Sequence, residues 1–147
     1  MYKVLLESHS GFRYVVLILL IAALLVSYAG WFGGRNYTAN TRRLNLFAMV
    51  SAHIQFLLGL ILYFVSPLVN FNMGVSMKNA TLRYWTVEHI VIMLIAIVLI
   101  TIGHSKSKKI TPTAAKHRTI AIFYSLAFII IIVGIIMSQR PLIDFMQ

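Results

Sequence analysis

The 147-residue chain has no cysteine, three prolines and three acidic residues, Glu7, Glu88 and Asp144. Without cysteine there is no disulfide, no cysteine-ligated iron–sulfur cluster and no covalent C-x-x-C-H attachment of haem, which leaves histidine, carboxylate or methionine to hold any metal. Charge is also scarce: 11% of residues are charged, where a soluble domain carries about a quarter. In their place stand four apolar runs, residues 14–31, 44–69, 85–102 and 119–137. A membrane-spanning helix needs ~20 mostly apolar residues, with ~17 to 25 tolerated. Four such runs joined by short connectors leave no room for a soluble domain.

The expected architecture is all-α, a single transmembrane domain over 1–147 with helices at about 10–32, 41–66, 82–104 and 112–138. Gly33-Gly34 stops the first helix and Thr38 or Thr41 caps the second. Pro67 ends the second, because a residue before proline is pushed out of the helical region. Thr111-Pro112 offers a cap with proline at the first helical position of the fourth, and Pro141 follows its end. Short connectors make successive helices antiparallel, an up-down-up-down four-helix bundle with the first helix opposite the third and the second opposite the fourth. The start of the chain carries Glu7 and lacks the basic opening and cleavage site of a secretory signal, so the first helix is expected to be retained.

The net charge of +10 is distributed unevenly. Arg35, Arg42 and Arg43 fall in the 31–43 connector, and Lys106, Lys108, Lys109, Lys116 and Arg118 in the 104–118 connector on the same side. Lys3, Arg13, Lys78, Arg83 and Arg140 fall on the other side with all three acids. The positive-inside rule puts the two basic connectors in the cytoplasm and both termini outside. The basic charge is then accounted for by topology and anionic headgroups, with the lipid bilayer as partner and no nucleic acid.

Against this apolar background five histidines stand out. His53 and His89 lie well inside apolar runs; His9, His104 and His117 lie at their edges. An ionisable ring in hydrocarbon is costly unless satisfied, so each inner histidine marks a candidate site. His9 and His89 lean toward the outer face, and His53 and His117 toward the cytoplasmic face. The chain can thus supply two axial pairs, each suited to a b-type haem, giving one or two haem groups. Depth is the difficulty: His53 and His117 are offset by about six residues, or ~9 Å at 1.5 Å per residue. His9 and His89 show a similar offset, which tilt or an earlier helix start would absorb. Alternatives are one haem between His53 and His89, His104 in place of His117, and axial ligation by Met49 or Met93. The plain reading of any single histidine is a hydrogen bond to the next helix.

Arg13 follows His9 by one turn and shares its face. Arg13 and Arg83 are candidates for haem propionates, since a guanidinium fork matches a carboxylate; snorkelling to headgroups is the other reading. Glu88, inside a span, needs a proton or a cationic partner, with Arg83 and Arg13 both on its side. Glu88 and Arg83 together mark a candidate proton or quinone site. Gln55 faces away from His53 and is placed to bridge helices.

Several of these segments are characteristic in combination: His9-Ser-Gly-Phe-Arg13-Tyr, His53-Ile-Gln55 with Gly59 and Tyr63, Thr81-Leu-Arg83 leading to Glu88-His89, Gly103-His104 through Lys109, and Lys116-His117-Arg118. Over nearly its whole length the chain resembles the small four-helix membrane proteins of Bacteroidota-type bacteria labelled "cytochrome B". In its histidine pairs it is loosely similar to cytochrome b561, which has more helices. The resemblance implies haem b and a multi-pass protein of the bacterial inner membrane. Three functions are therefore expected in order: a haem-b protein passing electrons with quinone or a respiratory partner subunit, a cofactor-free accessory subunit of a larger membrane complex or homo-oligomer, and a proton or metal conductor using His53, His89 and Glu88.

Overall fold

The computed structural model describes residues 1–140, so expectations resting on Pro141 and Asp144 lie outside the described residues. Four long helices account for most of it: α1 Tyr2–Gly33, α2 Ala39–Val65, α4 Ala80–Lys109 and α5 Thr113–Met137. A single turn, α3 Met73–Ser76, interrupts the loop between α2 and α4. Each end has a local cause. Gly34 closes α1 in the left-handed conformation, at φ 66°, where a side chain would be strained. The Thr38 hydroxyl accepts from the Thr41 amide at 3.2 Å to start α2. Asn79 caps α4 by accepting from the Thr81 and Leu82 amides at 3.0 and 3.1 Å.

Helix α1 packs against α2 and α5, and α4 also packs against α2 and α5, which sets α1 diagonal to α4 and α2 diagonal to α5. The buried stripe of α1 runs Val16, Leu20, Ala23, Ser27 and Gly30, at the spacing of one helical face. Around the outside, Ile18, Leu25, Leu57, Phe64, Ile129 and Ile136 are exposed. Helices that are apolar all round, with large apolar side chains facing outward, belong in a bilayer. The chain is an integral membrane four-helix bundle.

Two boundaries differ from expectation. Helix α1 begins eight residues before Ser10, because nothing stops it: Lys3 and Glu7 sit one turn apart with 3.8 Å between charged atoms. Helix α4 continues to Lys109, five residues past His104, so the basic cluster at 105–109 is helical and His104 is buried at 2% exposure. The most consequential departure is internal. Residues Tyr84–Glu88 form a π turn, in which the His89 amide reaches back five residues to the Tyr84 carbonyl.

Candidate functional site

The early start of α1 brings His9 to a depth it would not otherwise have. His9 lies seven residues after Tyr2 and His89 nine after Ala80, both counted from the N-terminal ends of their helices. From diagonal helices their rings meet across the bundle axis, with centroids 6.4 Å apart and planes at 78°. The rings meet edge-on, and of their nitrogens His9 Nδ1 is buried without a protein hydrogen-bond partner.

Close packing makes this approach possible. A Cβ at Gly59 of α2 would lie 2.8 Å from His9 Cε1, so only glycine admits the ring there. The Gln55 amide donates to the His9 carbonyl at 2.8 Å and ties α2 to α1 at the same level, the bridging role expected of it. His89 is held from the other side: Tyr84 Oη lies 3.2 Å from His89 Nδ1, and the Tyr84 hydroxyl donates to the Gly134 carbonyl on α5.

His9 and His89 line a cavity of about 150 Å³ bordered by all four long helices, far more room than a water needs. Phe56, Leu60, Tyr63, Trp85 and Ile97 supply apolar walls, and Arg13 and Arg140 supply charge. Arg13 Nη2 donates to the Tyr14 hydroxyl at 2.9 Å, and the Arg140 guanidinium sits 5.1 Å above the Trp85 ring. Among the described residues, no three His, Asp or Glu side chains converge. Two imidazoles, one from α1 and one from α4, are therefore the nitrogen donors that this cavity would offer a metal.

The other expected residues are placed differently. His53 and His117 do not pair: His53 Nε2 is 3.0 Å from Thr101 Oγ1, while His117 Nε2 is 3.1 Å from the Arg35 carbonyl. The His117 ring is seated directly against Gly30 and edge-on to Tyr37 at 5.1 Å. That seat belongs to α1 and the following connector, which is why α2 receives nothing from it. Nor does His53 meet His89, whose ring faces His9 and Tyr84. Arg83 and Glu88 bind each other at 2.8 Å, half-exposed, in a separate depression formed with Thr81, Tyr84 and Ser138. Neither lines the histidine cavity. As a relay, His53, His89 and Glu88 each have a different partner.

Tyr84, Trp85 and Arg140 are site residues that sequence reasoning missed. Tyr84 is five positions from His89, a spacing that in a regular helix lies ~140° away. Trp85 reads as an interfacial aromatic, and Arg140 as one more outer charge. Toward the opposite end of the bundle, Ser27 Oγ, Asn45 Oδ1, His104 Nδ1 and His117 Nδ1 are buried without a protein hydrogen-bond partner, places suited to internal water. Comparisons with protein-family models, with characterised proteins and with solved structures find no match for this chain.

Proposed function

We propose that the chain is a b-type haem protein of a bacterial inner membrane that holds one haem between His9 and His89 and exchanges electrons with a partner. The observation that carries this reading is the facing of two imidazoles from diagonal helices at 6.4 Å, at the edge of a largely apolar cavity. Bound haem would supply reversible one-electron chemistry. The chain's part is to bring two neutral ligands to one level, exclude water with Phe56, Leu60 and Trp85, and offer Arg13 and Arg140 to the propionates. One pair of facing rings argues for one haem, because the histidines of the inner half are committed to Thr101 and Arg35. The resemblance to small "cytochrome B" chains agrees with this, and the basic inner ends favour termini in the periplasm. Quinone or a respiratory subunit is the proposed electron partner.

The test is the dithionite-reduced minus oxidised spectrum of protein purified from cells with ample haem. A b-type α-band that disappears in His9→Ala and in His89→Ala, and survives in His53→Ala, is the expected result. Absence of the band in the wild-type chain defeats the proposal. The second reading, a cofactor-free subunit, draws on the bridging bonds of His53 and His117; colourless protein that copurifies with a larger membrane complex would favour it.

A further inference from the structure

His89 is held by a hydroxyl with only one way to bond. The Tyr84 O–H donates to the Gly134 carbonyl, which has no hydrogen to give. A phenol carries a single hydrogen, so toward His89 Nδ1, 3.2 Å away, the same oxygen acts as acceptor. The hydrogen in that second contact therefore belongs to the imidazole. Nδ1–H donates to Tyr84, and Nε2 keeps its lone pair.

We propose that Tyr84 is a positioning residue that holds His89 in its Nδ1–H tautomer and fixes its ring plane, presenting Nε2 as an iron ligand. This role rests on the reading of His9 and His89 as an axial pair. Three features of the fold serve it. The π turn brings Tyr84 and His89, five residues apart, onto one face. Gly134 lets bare α5 backbone approach α4: a Cβ there would stand 2.8 Å from Met93 Cε and 3.1 Å from Ile92 Cγ2. Tyr84 is buried at 6% exposure, so water does not compete for its hydroxyl. A hydrogen bond from the far nitrogen of a ligating imidazole orients the ring and raises its basicity. His9 has no such protein support, because its Nδ1 is buried without a protein hydrogen-bond partner. The two ligands are thus unequal, with His89 the stronger.

The experiment uses the full chain in lipid bilayers with ¹⁵N-labelled histidine, first without haem and then with haem added. Nitrogen shifts of wild-type His89 without haem should report Nδ1–H, the less common form of a free neutral side chain. Tyr84→Phe keeps the ring and removes the hydroxyl, and should move His89 toward Nε2–H. With haem, the same variant should weaken haem binding by about 10–100-fold and shift the g-values of the low-spin electron paramagnetic resonance signal, because the ring is free to turn. An Nε2–H form in the wild type overturns the proposal, and needs no variant to be seen. So does a folded Tyr84→Phe protein with unchanged tautomer, affinity and g-values. A Tyr84-dependent tautomer in a chain that takes up no haem supports the lock and defeats the haem reading instead.

Discussion

Tyr84 and His89 stand five positions apart on one helix and nevertheless share a face, with hydroxyl oxygen and ring nitrogen 3.2 Å apart. One surplus residue in the turn is responsible. In a regular helix positions i and i+4 stack, whereas a turn closed by an i→i+5 bond stacks positions five apart. The same turn aligns Arg83 with Glu88, five apart as well, into an ion pair of 2.8 Å. Two pairings therefore depend on a single irregularity.

Removing that residue gives the sharpest test of the arrangement. Deleting Val87 should restore an ordinary helical turn in which Tyr84 and His89, now four apart, still share a face, as do Arg83 and Glu88. Haem content should therefore be retained, whereas an alanine inserted after Val87 sets each pair six positions apart, off a common face, and should lower it by about tenfold or more. The reduced-minus-oxidised spectrum at equal protein concentration reads the difference.

Gly59 is the next pressure point. Gly59→Ala sets a methyl 2.8 Å from His9 Cε1 and pushes that ring from its place. The expected loss is about 1–3 kcal/mol of stability together with much of the haem. In a His9→Ala background the same change should cost far less. Unfolding in mixed detergent and denaturant micelles measures both.

A comparable contact exists in the other half of the bundle, away from the paired histidines. His117 is fully buried against Gly30 and bonded to the Arg35 carbonyl. His117→Ala should destabilise the bundle by about 2–4 kcal/mol and leave the visible spectrum intact. Gly30→Ala alone should also destabilise, and the double variant should lose less than the two together, the signature of sites in contact.

Two polar residues inside the spans should prove modest. His53→Ala removes one interhelical hydrogen bond to Thr101, and such bonds average about 0.6 kcal/mol in a membrane. Glu88→Gln breaks a pair whose side chains are 41% and 31% exposed, so the loss should stay below about 1 kcal/mol. Neither should change haem content, and a lost α-band in either variant would contradict the assignment of the site.

The four spans were legible because a bilayer requires long apolar runs, and the Thr38 cap and the Gly34 stop follow from simple turn chemistry. The diagonal placement of the first and third helices followed from short connectors, and with it the meeting of His9 and His89. Other features left no trace in periodicity. Polar Lys3, Glu7 and Ser8 look like a lead-in to a helix, yet helical hydrogen bonding runs through them from Tyr2. A π turn has no composition of its own, so by the count of a regular helix Tyr84 falls on a different face from His89. The failed pairing of His53 with His117 has a steric cause: Gly30, on a third helix, offers His117 a fitted seat that depth alone does not reveal.

The two rings sit toward the N-terminal ends of α1 and α4, at one end of the bundle, and α1 with 32 residues is longer than the hydrocarbon is thick. Moving one elementary charge across the whole membrane is worth ~2.3 kcal/mol per 100 mV. On the haem reading proposed above, an electron arriving from the nearer surface at a group so placed crosses only a small part of that drop. Reduction and oxidation through this face would be nearly insensitive to the membrane voltage, and the protein would work as a local electron store at the surface, making no contribution of its own to the transmembrane field.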